Sequence, residues 1–371
     1  MNKVLILAIF IAPAWAAPLI ARQAIVRGPY LSCPTQSSIT IRWANRMPAA
    51  STVEYGLTAS YGLVSCEPSA AIEHTVILSN LRPSTEYHYR VCSGDTTRDF
   101  TFRTAVTPDA PVAFVVYGDS RTNHDVHAQI LSMIEARRPM FILHTGDLVE
   151  SGKPSDWDTY FSILCRRTTV GETIPVYSAL GNHDEDTSLY FQLMRLPVNS
   201  ADGTSSYYSF DYGSAHCACV NSNISLSEGT PQRVWLEHNL ASAQSARFRF
   251  VFLHHPPYSS SRHGSNEKMR KFLVPLCVQY RVQVVFAGHD HDYERTTPID
   301  GVTYIVTGGG GAPLYSFRED EPWTAYRESV HHFCTVRIDS AGCAIDMIRM
   351  DGSTGDSVFI PSGTIQQSPH Q

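Results

Sequence analysis

Five apolar segments of the sequence each end in side chains that can bind a metal ion. The candidate ligands are Asp119, Asp147, Asn182, His254, His289 and His291. A single Gly-Asp after an apolar segment is typical of an ordinary turn. Burying this many carboxylates and imidazoles without a cation would be costly, so the five motifs together predict a metal site. Nitrogen and oxygen ligands without thiolate suit ions such as iron, zinc or manganese.

The segments that carry these ligands alternate with helical patterns, which predicts an α/β domain with largely parallel central strands. Strands are expected at 113–117, 141–143, 176–180, 248–253 and 282–286, and helices at 125–137, 155–166, 187–194 and 266–280. Further strands are expected at 206–220 and 332–349. Because the carboxyl ends of parallel strands converge on one crevice, the candidate ligands can meet there. The glycines at 118, 146, 181 and 288 are predicted to let the chain turn sharply as it leaves each strand.

The preceding region, residues 25–106, has the alternating pattern of an all-β domain. Ile39, Ile41 and Trp43 alternate with polar residues, as in a half-buried strand. The segment from Leu81 to Tyr89 resembles the tyrosine corner of a fibronectin type III or immunoglobulin-like sandwich, in which the Tyr87 hydroxyl would reach back to the turn. No cluster of chemically active residues occurs here, so the sequence indicates a structural or positioning module, joined to the next domain by residues 107–111.

Residues 1–17 are typical of an export signal. Lys3 precedes a short apolar core, and Ala14-Trp15-Ala16 resembles a small-x-small cleavage site. We expect a secreted or periplasmic protein, with an uncleaved anchor as the alternative, and no membrane span after cleavage. A formal net charge of −6 argues against a nucleic-acid polymer as partner. A small phosphate ester remains possible, because metal ions would supply local positive charge. The oligomeric state is not specified by the sequence.

The ordered motifs GD, GD, GNHD, H and GHxH resemble the signature of the calcineurin-like metallophosphoesterases. The β domain ahead of them, HHPPYSS, and GHDHDYER resemble the purple acid phosphatase branch. The resemblance implies a four-layer α/β/β/α metallophosphoesterase domain over residues 111–360. It also implies an exported phosphoesterase with two divalent or mixed-valence ions (iron, zinc or manganese). A hydroxide bridging the ions would attack a phosphate monoester.

The resemblance also implies which residue binds which ion. It assigns Asp119 and His291 to the first metal, Asn182, His254 and His289 to the second, and Asp147 to both. Purple members have a tyrosine where this chain has Glu150, so no Fe(III)-tyrosinate is expected. Other branches have a histidine where this chain has Arg121. Glu150, His124, His127 or water are the candidates to complete the first metal.

Four further residues are candidates for a direct part in catalysis. His183, with its ring oriented by Asp184, and His263 are the candidates for proton donor and for stabilising phosphoryl charge. Arg121 is interpreted as a phosphate clamp, or alternatively as part of an outward salt bridge. His144, His255, His331 and His332 are expected to serve packing or to support the ligands. A phosphodiesterase or nucleotidase on the same site, or a surface binding protein with a degenerate metal site, are the other functions considered.

Overall fold

The computed structural model describes residues 24–184, 188–318 and 320–363. The predicted export signal at residues 1–17 lies outside these ranges. In the described part of the chain, no helix has the length and apolar character needed to cross a bilayer.

The N-terminal domain is a sheet structure, as predicted. Its strands are β1 (Ile25–Ser32), β2 (Ser38–Gly56), β3 (Leu63–Ser79), β4 (Glu86–Ser93), β5 (Asp95–Thr96) and β6 (Phe100–Arg103). The long strand β2 pairs with β1 along its first half, with β4 along its second, and with β3 along both. The backbone N–H of Arg82 donates to the Tyr87 hydroxyl at 2.9 Å, which confirms the predicted contact of the tyrosine corner.

Two mixed sheets form the centre of the second domain. The strands are β7 (Val112–Tyr117), β8 (Ile142–His144), β9 (Val176–Ser178), β10 (Tyr208–Tyr212), β11 (Ala215–Cys219), β12 (Phe248–Phe252), β13 (Val284–Ala287), β14 (Tyr293–Thr296), β15 (Thr303–Thr307), β16 (Thr324–Glu328), β17 (His332–Ile338), β18 (Gly342–Arg349) and β19 (Thr354–Pro361). One sheet has the order β19-β18-β17-β7-β8-β9 and the other β10-β11-β12-β13-β15-β14-β16. The strands that precede the candidate ligands are parallel within each sheet, as predicted.

Helices cover the outer faces of the two sheets. They are α1 (His124–Arg137), α2 (Pro154–Ser162), α3 (Val170–Thr173), α4 (Ser188–Met194), α5 (Pro231–Ser242), α6 (Glu267–Phe272) and α7 (Val274–Gln279), with a π-helical turn at Ile163–Arg167 and a 3₁₀ turn at Ala243–Ser245. Phe114 of β7 meets Phe250 of β12 edge to face at 5.4 Å, so the sheets pack on each other. The α/β/β/α fold class is therefore confirmed. The single helix predicted at 266–280 is divided at Leu273, because Pro275 has no N–H with which to continue the backbone hydrogen bonds of the helix.

The two domains share part of one core. The Tyr30 ring of β1 packs on Phe161 at 4.6 Å, and its hydroxyl donates to the carbonyl of Leu193 at 2.8 Å. Arg42 of β2 donates to the same carbonyl at 2.8 Å and to that of Gln192 at 2.6 Å. The first domain is thus anchored to α4, directly after the GNHD motif.

Candidate metal centre and active site

Three of the candidate ligands have left-handed backbone conformations. The φ angles are +59° at Asp119, +57° at Asp147 and +71° at His289. Such residues cost about 1–3 kcal/mol each and are concentrated at functional sites. The predicted sharp turn falls on glycine itself only at Gly146, with φ of +98°. At Gly181 and Gly288 the absence of a side chain instead lets neighbouring groups lie close to the backbone. A Cβ at Gly181, for example, would lie 2.1 Å from Asp147 Oδ1.

The ligands assigned to the second metal converge on one nitrogen, Nε2 of His254. Nδ1 of this ring donates to the carbonyl of Thr145 at 2.9 Å, which leaves Nε2 of the neutral ring without a proton. That Nε2 lies 2.9 Å from Asn182 Oδ1, 3.2 Å from His289 Nδ1 and 3.4 Å from Asp147 Oδ1. The lone pairs of His254 Nε2 and Asn182 Oδ1 therefore face each other with no proton between them, and the Asp147 carboxyl lies beside them. A metal ion would satisfy all three.

The ligands assigned to the first metal lie beside this cluster. Ligand atoms of Asp119, Asp147 and His254 lie within 4.8 Å of one another. His291 Nδ1 donates to the carbonyl of Pro313 at 2.7 Å, and its Nε2 lies 3.6 Å from Asp119 Oδ1. The ligands assigned to the first metal and those assigned to the second thus form one continuous group, and Asp147 joins them.

Burial governs the protonation of these groups. It lowers the pKa of His291 to about 4 and that of His254 well below its usual range, so both rings are in the neutral form that binds metals. Burial, followed by the neighbouring Asp147 carboxylate, raises the pKa of Asp119 well above its usual range. A cation between the carboxylates would reverse that shift, which is the behaviour expected of metal ligands.

Arg121 lies against the carboxylate of Asp147, the candidate bridging ligand. Its Nη1 donates to Glu150 Oε2 at 2.5 Å, and its Nε lies 3.4 Å from Asp147 Oδ2. The side chain is only 11% exposed. The alternative of a salt bridge is thus borne out in part, because Arg121 pairs with Glu150, whose side chain is 49% exposed, while its own side chain is largely buried. The arginine fits a phosphate clamp whose orientation is set by two carboxylates.

The residues considered for completing the first metal lie in different surroundings. Glu150 is paired with Arg121. His127 is buried, with Nε2 3.0 Å from the Tyr117 hydroxyl and its ring stacked on Tyr160, so the expectation that it could fold back to the metal is wrong. His124 is exposed at the first residue of α1.

Asp184 does not orient the His183 ring, which corrects the expectation from the sequence. Its carboxylate accepts four backbone N–H bonds of 2.7–3.1 Å, donated by the residues at 147, 148, 149 and 181. Burial and then the Asp147 carboxylate raise its pKa to about 7, although these N–H donors lower it. His183 Nδ1 instead donates to the carbonyl of Glu150 at 2.8 Å, which leaves Nε2 available for proton transfer.

The opposite side of the site is formed by His263, Tyr315 and Arg262. The His263 ring lies 4.3 Å from that of His289, and Tyr315 stacks on His291 at 4.0 Å. The Arg262 guanidinium lies 4.9 Å from the centre of the Tyr315 ring. Sequence reasoning missed Tyr315 and Arg262, because neither belongs to a ligand motif. The glycines at 308–311, shortly before Tyr315, were the available signal of a loop packed closely on the site.

His255 lies closer to the centre than expected. A ring nitrogen of His255 falls within 4.8 Å of those of His254 and His289, while its Nδ1 is 2.8 Å from Ser222 Oγ. His144 is 3.0 Å from Ser120 Oγ, and His332 is 3.0 Å from Thr307 Oγ1. These last two rings have the packing and support roles that were expected.

Comparison with known proteins identifies both domains. Residues 112–293 match the family described as calcineurin-like phosphoesterase, and residues 26–104 match the purple acid phosphatase N-terminal domain. A purple acid phosphatase of Glycine max is 30% identical over 66% of this chain and 57% of its own length. A phosphoenolpyruvate phosphatase of Allium cepa is 28% identical over 71% of this chain and 63% of its own length. The chain thus spans about three fifths of these relatives.

A solved structure supports the same assignment of the fold. The purple acid phosphatase PPD1 from yellow lupin seeds superposes with a TM-score of 0.78, covering 90% of this chain and 74% of that one at 21% identity. The chain therefore belongs to the calcineurin-like metallophosphoesterases, in the branch that places a purple acid phosphatase N-terminal domain ahead of the phosphoesterase domain.

Proposed function

We propose that this protein is an exported phosphoesterase that hydrolyses phosphate monoesters of small molecules at a site for two metal ions. The observation that carries the proposal is the convergence of ligand atoms on the unprotonated Nε2 of His254, next to the Asp119–Asp147 pair. Asn182, His254 and His289 would hold one ion, Asp119 and His291 the other, and Asp147 both. Iron, zinc or manganese fit this donor set.

When bound, the two ions would supply an activated hydroxide and neutralise charge on the phosphoryl group. The chain's own residues would do the rest. Arg121, held by Asp147 and Glu150, offers its remaining N–H groups to phosphoryl oxygens. His183 and His263 flank the ligands, one placed to donate a proton to the leaving oxygen and the other to stabilise phosphoryl charge. No protein nucleophile is required, so no phosphoenzyme is formed.

The test combines metal content with a choice of substrates. We expect two ions per chain and turnover of p-nitrophenyl phosphate well above that of bis(p-nitrophenyl) phosphate. Asp147→Asn and His254→Ala should each lose metal and activity together. Preference for the diester would indicate a phosphodiesterase instead. Fewer than two ions together with no ester hydrolysis would support a binding protein with a degenerate site.

The colour of the iron-loaded protein gives an independent test. Since Glu150 occupies the position of the tyrosine ligand and is paired with Arg121, we expect no Fe(III)-tyrosinate absorption band. Glu150→Tyr in the iron-loaded protein should create one. A purple wild-type protein would contradict the proposed ligand set.

A further inference from the structure

Two buried carboxylates hold the loop that carries His263. Asp290 Oδ1 accepts the backbone N–H of His263 at 2.9 Å, and its Oδ2 accepts the Ser259 hydroxyl at 2.6 Å. Farther along, Glu294 Oε2 accepts the backbone N–H of Ser260 at 2.6 Å. Both acids are fully buried, at 0% and 1% exposure, so these contacts are shielded from water.

Asp290 stands between two of the metal ligands in the sequence. His289 and His291 flank it directly. Asp290, which accepts hydrogen bonds from the 259–263 loop, therefore belongs to the segment that supplies a ligand to each of the two proposed metal ions. The bond from His263 N–H to Asp290 therefore fixes the loop relative to the ligands through a single side chain.

The His263 ring itself has little else to position it. Within the described ranges, the ring makes no side-chain hydrogen bond, and its contacts are aromatic ones with His289 at 4.3 Å and Tyr315 at 5.4 Å. The residue is exposed. Its placement therefore depends on its backbone, whose N–H group at His263 itself is bonded to Asp290, while Glu294 holds the same loop at Ser260.

We propose that Asp290 is a positioning residue that sets the distance between the His263 ring and the leaving-group oxygen of the substrate. This inference rests on the proposed function, in which His263 faces the substrate and donates the proton. A displaced donor affects substrates unequally. p-Nitrophenolate leaves with little need of a proton, whereas an alkoxide must be protonated as the bond to phosphorus breaks.

The experiment compares p-nitrophenyl phosphate with glycerol 2-phosphate in metal-loaded variants. For glycerol 2-phosphate, Asp290→Ala should lower kcat roughly tenfold to a hundredfold, which is part of the roughly hundredfold to ten-thousandfold that general acid catalysis contributes, because the His263 ring is displaced and not removed. For p-nitrophenyl phosphate the loss should stay within about threefold, and the metal content should remain two ions per chain. Asp290→Asn keeps an acceptor for His263 N–H and an amide for Ser259, so it should retain most of the wild-type rate on both substrates.

His263→Ala and the double variant make the test specific. His263→Ala should show the same dependence on the leaving group, and adding Asp290→Ala to it should cost nothing further. Asp339→Ala is the matched control, because Asp339 also accepts two backbone N–H bonds in a turn, but one that follows β17 and lies beside the start of β7, away from the strand ends that carry the ligands. It should leave the ratio of the two substrates unchanged.

Four results would overturn the inference: an equal loss on both substrates, an additive loss in the double variant, loss of metal from Asp290→Ala, or an Asp290→Asn variant as impaired as Asp290→Ala. If Asp290→Ala does not fold, Asp290→Ser carries the same expectations, since its side chain is too short to reach the His263 N–H. If His263→Ala itself shows no leaving-group dependence while ester hydrolysis persists, the acid role of His263 fails. If no variant or wild type hydrolyses any ester, the proposed function fails.

Discussion

Asp184 supports the turn that presents Asp147, and its removal should have a large and specific effect. Asp184→Ala would leave four buried backbone N–H groups without their acceptor. Each such group costs about 1–3 kcal/mol, and water entering the vacated space would replace part of the loss. We therefore expect the free energy of unfolding to fall by about 3–5 kcal/mol. Asp184→Asn keeps one acceptor oxygen and should lose about half as much.

The assay is urea unfolding of the metal-free protein, followed by elemental analysis after reloading with metal. Measuring the metal-free form separates the stability of the turn from that of the bound ions. Because the turn carries Asp147, both variants should also bind less metal than the wild type. A variant that keeps its stability and both ions but loses activity would refute this reasoning, and would restore Asp184 as a partner of the reaction itself.

Three other changes test separate parts of the molecule. Burial raises the pKa of Glu172 from 4.5 to about 9, so the folded protein keeps a proton that the unfolded chain releases. Its contribution to the free energy of unfolding is complete below pH 4.5 and falls by about 1.4 kcal/mol per pH unit as the pH rises toward 9. In urea unfolding measured from pH 5 to pH 8, Glu172→Gln should remove this decrease of the free energy of unfolding with pH. An unchanged decrease would contradict the raised pKa of Glu172. Arg121→Lys should lower kcat/KM about tenfold to a hundredfold at unchanged metal content, because lysine cannot make two parallel hydrogen bonds to phosphate. An unchanged kcat/KM would show that Arg121 is an ion-pair partner and does not bind phosphate. Arg42→Met should lower the free energy of unfolding by about 2–4 kcal/mol through loss of its buried bonds to the carbonyls of Gln192 and Leu193, and no change in the urea midpoint would show that these bonds do not hold α4.

The fold and the candidate ligands could be predicted because they follow from local patterns. The strands before Asp119 and Asp147 are short apolar runs, and each run is closed by a glycine and a ligand. The convergence of strand ends then follows from parallel pairing. The division of the 266–280 helix was also available in the sequence, since Pro275 marks it.

The contacts around the ligands could not be predicted in the same way. Asp184 lies beside His183 in the sequence, yet its carboxylate faces four N–H groups that become adjacent only when two strand ends meet. The His127 ring turns inward because helix α1 packs its buried side on Tyr117 and Tyr160. Tyr315 reaches the site through a loop whose glycines at 308–311 indicate close packing but do not show which side chain faces the ligands. Such contacts depend on tertiary packing rather than on spacing along the chain.

The shared core of Tyr30 and Phe161 has a consequence for how the chain can be divided. A cut in the 107–111 linker would separate β1 and β2 from the helix they anchor, leaving the Leu193 carbonyl without two of its donors and exposing the Phe161 ring. The N-terminal domain is therefore not an exchangeable module, although its sequence has the form of one. The two domains are expected to melt in a single calorimetric transition. Any fusion or transplantation of the phosphoesterase domain should carry residues 24–106 with it.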